Sequence, residues 1–245
     1  VLTLHPQTFQ FFPLTDYLLF IDTETSGLPN DWEKPYSAQD NWPSCVQIAW
    51  IIYTKDGQQV KQENHFIKEN DFKISKSSTK IHGITESFLS INGESRREVM
   101  ELLSHDVITY QPLVIGHFMN FDYDMLGVDF YRSGIDNPIK KEMTFCTMVA
   151  TTYMVKNPTL KFFRLGELYE CLFDTKLYNQ HNALVDAKAT ADCFFELIKR
   201  GEVTDETIAF QQKEAQASEI QEKQTGCMVP ILLIIFLTFL ILYIL

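Results

Sequence analysis

Asp22 and Glu24 stand two residues apart at the end of an apolar run, Leu18-Leu19-Phe20-Ile21. Residues at i and i+2 of a strand share a face, so the two carboxylates point into one small volume. Held together they repel, and a divalent cation is the usual means of neutralising them, which makes the pair a candidate metal site. Solvated acids on an edge strand are the other reading this pair permits by itself. Two further stretches carry the same chemistry. One is Gly116-His117-Phe118-Met119-Asn120-Phe121-Asp122, where Asp122 falls in the first turn of a helix capped by Asn120; a carboxylate there also complements the helix dipole with no further role. The other is His181-Asn182-Ala183-Leu184-Val185-Asp186-Ala187. Asn182 caps a helix that carries Asp186 on its second turn, and His181 stands just before it, a place where structural histidines are also common.

The elements that must position these residues follow in order. The strand ending at Asp22 and Glu24 is a continuous apolar run, as expected of a buried strand. A loop from Leu28 to Ser44 leaves it, carrying Trp32, Tyr36 and Trp42. Those rings could stack a base, cover the site or simply pin the loop to the surface. Val46 to Thr54 and Gln58 to Lys68 read as strands around Lys55-Asp56-Gly57, a strong hairpin signal. A short helix ends at Gly83, with Thr85 as the next cap, and Glu94 to Tyr110 has helical periodicity. Pro112 to Gly116 and Thr144 to Val149 read as the last two strands. Helices are expected over Thr147 to Met154, Arg164 to Phe173, and Asn182 to about Arg200, the last with an apolar face of Leu184, Ala187, Ala191, Phe194, Phe195 and Ile198. Three antiparallel strands followed by alternating strands and helices predict an α/β fold with a mixed sheet.

Composition narrows the function. The 245 residues are 45% hydrophobic and 22% charged, as in ordinary globular proteins. The net charge of -11 speaks against a broad basic groove for nucleic acid. An acidic protein can still take a phosphodiester where bound cations supply positive charge locally. The five cysteines, Cys45, Cys146, Cys171, Cys193 and Cys227, form no CxxC pair and read as reduced and mostly buried, consistent with a cytosolic catalytic domain. No Lys or Arg precedes Lys34, so the first residues read as an N-terminal extension and not as a secretory signal.

Taken together and in order, the motifs resemble those of the DEDDh exonucleases, the DnaQ-like group that includes the proofreading subunit of bacterial DNA polymerase III. The matching pieces are Asp22-Thr23-Glu24-Thr25-Ser26-Gly27-Leu28, Ile81-His82-Gly83-Ile84-Thr85, Asn120-Phe121-Asp122 and the segment from His181 to Ala187. The resemblance implies an RNase H-like mixed sheet over about residues 16 to 200. It implies a 3'-5' exonuclease that releases nucleoside 5'-monophosphates from single-stranded 3' ends, DNA before RNA. Two divalent ions, Mg2+ or Mn2+, would be held by Asp22, Glu24, Asp122 and Asp186, with His181 as general base. Thr25, His82 and Phe121 would contact the terminal nucleotide, and a polymerase is an implied partner. One departure stands out: the family's second motif usually has Asn directly after its His, whereas Phe118 follows His117 here. The competing readings are a non-catalytic nucleic-acid-binding or polymerase-associated module of the same fold, and an RNA-processing exonuclease.

After Gly201 the composition turns polar, and residues 201–226 read as a helical stalk or linker. Val229 to Leu245 contains no charged residue and, with Cys227 and Met228, approaches the length needed to cross a bilayer. Residues 227–245 are therefore expected to form a single-pass C-terminal membrane anchor, with the catalytic domain on the cytoplasmic side.

Overall fold

The computed structural model describes residues 15–156 and 161–214. Three strands open the fold: β1 (Tyr17–Thr25), β2 (Cys45–Thr54) and β3 (Gln59–Phe66). The turn between β2 and β3 places Gly57 at φ 83°, a left-handed value that glycine adopts without strain. Helices α1 (Lys76–His82), α2 (Glu86–Asn92) and α3 (Arg96–Tyr110) follow, then β4 (Leu113–Gly116), α4 (Met119–Ser133), β5 (Thr144–Cys146), α5 (Thr147–Ala150), α6 (Leu165–Phe173) and α7 (Ala183–Lys199). The five strands form one mixed sheet in the order β3-β2-β1-β4-β5. β1 pairs antiparallel with β2 and parallel with β4, so it is the central strand.

Both faces of β1 are covered, which explains its unbroken apolar run. Leu19 and Ile21 join Trp50, Val99, Leu103, Val107 and Leu126 in the main core, beneath α3 and α4. On the opposite face Phe20 packs against Phe194 and Phe195 of α7, with ring centroids 5.5 and 5.6 Å apart. Asp22 and Glu24 continue the Phe20 row by strand alternation, so they emerge on the α7 side of the sheet. The shared face expected for the two carboxylates is thus built by the strand itself.

Several local expectations are revised. Asn120 does not cap α4: the cap is Phe118, in left-handed backbone at φ 74°, with no side-chain capping bond. The strand expected over Thr144 to Val149 stops at Cys146 because the chain turns into α5 at Thr147. α1 begins at Lys76, where the Ser75 side chain accepts from the Ser78 backbone N–H. The expected caps Gly83, Thr85 and Asn182 do end or start their helices. Cys45, Cys146 and Cys193 are buried, and Cys171 is exposed.

The chain divides into two compact units at Asp205 and Glu206. Residues 205–214 are helical. Among the described residues no helix is long and apolar enough to cross a membrane. The anchor expected over 227–245 lies outside the described residues, as do residues 215–226 of the stalk and nearly all of the N-terminal extension.

Candidate active site

Four carboxylates converge at the carboxyl end of β1. Asp22 and Glu24 come from the strand, Asp122 from the first turn of α4, and Asp186 from the first turn of α7. Asp122 is reached through β1 as well: the Thr23 hydroxyl donates to its Oδ1 at 2.8 Å. Asp186 Oδ2 accepts from the His181 backbone N–H at 2.9 Å. Its Oδ1 is buried and has no hydrogen-bond partner.

Glu24, His181 and Asp186 each offer a ligand atom within 4.8 Å of the others, a group able to hold a metal ion. Glu24 and Asp186 are buried in this group and the His181 side chain is exposed. Asp22 and Asp122 lie outside this tightest set but are joined to it electrostatically. Burial, then the charges of Asp122, Asp186 and Glu24, hold the Asp22 carboxyl well above the ordinary carboxylate range. Glu24 is pushed up to about 8, mainly by burial and then by Asp186 and Asp122. Burial raises Asp122 against the pull of the Thr23 hydrogen bonds, and raises Asp186 against that of the His181 N–H. Anionic oxygens in such a place lack a counter-charge, and an orphaned buried carboxylate oxygen lacks a donor. A divalent cation supplies both needs, so the residues present fit a metal centre.

His181 is held by local geometry more than by sequence neighbours. It takes left-handed backbone, φ 64°, directly before the Asn182 cap. The N-terminus of α7 is fastened to the sheet by Gln47, a fully buried side chain on β2 in register with Glu24. Gln47 Oε1 accepts from the Ala183 backbone N–H at 3.2 Å, and its Nε2 donates to Asn64 Oδ1 at 2.8 Å and to Asn182 Oδ1 at 3.5 Å. Sequence reasoning missed Gln47. Its only signal is a polar residue breaking the apolar run of Val46 to Tyr53.

Beside the carboxylates lies a pocket of about 490 Å³, and Glu24, Thr25, Leu28, Ile81, His82 and Phe121 are among its lining. The three residues expected to contact nucleotide, Thr25, His82 and Phe121, therefore face one cavity. His82 Nδ1 accepts from the Ile84 backbone N–H at 3.0 Å, so Nε2 is the donor to the Thr25 carbonyl at 3.2 Å. Burial lowers its pKa, favouring this neutral form. The backbone after Glu24 is tied down as well. Ser26 N–H donates to the Ser44 carbonyl at 2.8 Å, and Ser44 N–H to Ser26 Oγ at 3.0 Å. Ser44 is gripped in turn by Arg132 and Arg96, whose charges meet the buried Asp129. This second layer lies in helices whose apolar patterning conceals it.

Residues 19–194 match the family model RNase_T, described as Exonuclease. The chain is 27% identical over 189 residues to a PolC-type DNA polymerase III of Thermotoga maritima and 24% identical over 190 residues to that of Halalkalibacterium halodurans. These alignments cover 73% and 76% of this chain but only 12% of each polymerase, so the chain spans a small part of the curated relatives it matches. In structure it is similar to the zinc-bound form of the E. coli exonuclease I complex with single-stranded DNA, with a TM-score of 0.62 and 21% identity. That likeness covers 76% of this chain and 41% of exonuclease I, and at this identity it speaks for the fold.

Proposed function

The chain belongs to the RNase_T exonuclease family, and on that premise we propose that it is a metal-dependent 3'-5' exonuclease that releases nucleoside 5'-monophosphates from single-stranded ends, DNA before RNA. One observation carries the proposal: Glu24, His181 and Asp186 stand close enough to share one ion, with a buried oxygen of Asp186 that has no hydrogen-bond donor, and the charges of Asp122, Asp186 and Glu24 bear on Asp22. Such a cluster is costly to assemble unless cations and a phosphodiester use it. The exonuclease I neighbour, whose complex holds single-stranded DNA, supports that substrate form, and the PolC-type relatives, DNA polymerases by name, support a polymerase partner.

Asp22, Glu24, Asp122 and Asp186 would hold two divalent ions, Mg2+ or Mn2+, which when bound activate water and stabilise the leaving 3' oxygen. His181 accepts the proton of the attacking water at a ring nitrogen, a task suited to imidazole near neutral pH. Its backbone bond to Asp186 fixes the start of α7 beside the reacting centre. Thr25, His82 and Phe121 receive the terminal nucleoside in the pocket beside Glu24. Residues 16–200 form the catalytic domain in this reading, 201–226 the stalk, and 227–245 a tail anchor that tethers the enzyme to the cytoplasmic side of a membrane. The apolar, uncharged composition of 229–245 supports the last point.

The test is digestion of 3'-labelled and 5'-labelled single-stranded DNA and RNA by the full chain in mild detergent, with Mg2+, Mn2+ or EDTA. Stepwise shortening from the 3' end, stopped by EDTA, is the expected result. Binding of either strand with no shortening under any metal would favour a non-catalytic module of the same fold.

A further inference from the structure

Two exposed aromatic side chains near the carboxylates have no part in the chemistry above. Phe118 is 46% exposed and Trp32 is 47% exposed. They flank Phe121. The Phe118 ring stacks on Phe121 with centroids 6.2 Å apart and planes 26° apart, and Phe121 meets Trp32 at 6.0 Å. Trp32 in turn abuts the buried Trp42 edge-on at 6.2 Å, and the Trp42 indole N–H donates to the Pro35 carbonyl at 3.1 Å. The result is a row of rings that starts next to Asp122, shares Phe121 with the pocket, and is braced at its outer end by the core.

Packing alone does not account for this row. Phe118 holds left-handed backbone, φ 74° and ψ 45°, which a side chain with a Cβ rarely adopts, and it gives α4 no capping bond. Backbone strain that leaves a large apolar ring half in water brings little burial in return, and such strain gathers at sites of contact. Trp32 is likewise half in water, whereas Trp42 and Trp50 are 5% and 0% exposed.

Charge indicates which ligand suits the row. At a net charge of -11 the protein can make few favourable contacts to a phosphate backbone away from bound cations. Affinity for a strand must then come from the bases, and aromatic stacking supplies it with little dependence on sequence. We propose that Phe118, Phe121 and Trp32 form a stacking platform for the unpaired bases just behind the 3' end held at the carboxylates, so that a single strand of several nucleotides is preferred over a dinucleotide. The proposal rests on the exonuclease reading and adds to it the length and unpaired state of the substrate.

The test uses the full chain and (dT)8 with phosphorothioate linkages at its 3' end, to slow cleavage. Binding is followed by tryptophan fluorescence, in which Trp32 is the exposed reporter among the three tryptophans. Hydrolysis of unmodified (dT)8 and of the dinucleotide is compared in parallel. Quenching of Trp32 on binding is expected. Phe118→Ala and Trp32→Ala should each weaken (dT)8 binding about tenfold, read by anisotropy of a labelled strand, and lower the ratio of kcat/KM for octamer over dinucleotide by a similar factor. Trp32→Phe and Phe118→Tyr, which keep a ring, should retain the wild-type ratio within about twofold. Alanine variants that bind (dT)8 as tightly as wild type would overturn the platform. If the wild-type chain cleaves neither substrate, the exonuclease reading fails by itself, and the binding comparison still decides the platform.

Discussion

Replacing Glu24 by Gln should stabilise the protein in the absence of metal, at alkaline pH alone. Burial and the neighbouring acids lift the Glu24 carboxyl from its ordinary 4.5 to about 8. The folded state therefore binds this proton more tightly than the unfolded chain does. Stability from this group is complete below pH 4.5, falls as the pH rises through that window, and is lost above pH 8. At about 1.4 kcal/mol per pH unit the full loss is on the order of 5 kcal/mol. Gln mimics the protonated acid and escapes it. In EDTA at pH 8.5 to 9, Glu24→Gln should melt about 10 °C above wild type, and at pH 4.5 the two should melt together. With saturating Mg2+ the order should shift toward wild type, because only the intact cluster gains binding energy from the ion. Thermal unfolding followed by circular dichroism in these three conditions reads all of it. A Gln variant no more stable than wild type at pH 9 in EDTA would refute the view that these carboxylates are held together against their own repulsion.

Other consequences follow from neighbouring residues. His181→Ala should lower kcat by about 10²- to 10⁴-fold while leaving Mn2+ affinity, measured by calorimetry, near wild type; an equal loss of metal affinity would make His181 a ligand instead of a base. Gln47→Leu would strand the Ala183 N–H and remove the bond to Asn64 Oδ1, and should cost about 1–3 kcal/mol in urea unfolding. His117 is bonded to Thr147 Oγ1 and the Phe163 carbonyl, and burial lowers its pKa from 6.5 to about 4. It therefore contributes stability above pH 6.5 that is lost as the pH falls toward 4, about 3 kcal/mol in all. His117→Gln lacks this titration, so the wild-type stability minus that of the variant, from urea unfolding between pH 4 and 7, should fall as the pH falls, in the direction opposite to the Glu24 effect.

Much of this site was legible because its residues sit where local rules apply. The Asp22 and Glu24 pair follows from strand alternation, the hairpin from Asp56-Gly57, and the α7 start from Asn182, each decided within a few residues of chain. Phe118 shows where that reasoning fails. Asn120 has the better capping side chain, yet the turn after β4 starts the helix two residues earlier and forces a phenylalanine into left-handed backbone. Gln47, Arg96 and Asp129 were illegible for another reason. Their burial depends on partners on other elements, as in the Cys45 N–H bond to Asp129 Oδ2 and the Ala183 N–H bond to Gln47 Oε1, and no periodicity marks a polar group that meets its complement only after folding.

The most direct test of the central claim is the rate at which nucleoside 5'-monophosphate is released from a single-stranded oligonucleotide by wild type and by Asp22→Ala, compared at saturating Mn2+. Asp22 lies at the centre of the cluster, and its carboxyl is perturbed by all three other acids. The account predicts steady release by wild type and none above background from a variant that melts at least as high in EDTA. Release by Asp22→Ala at a rate close to wild type would mean that the carboxylate cluster is not where the strand is cut.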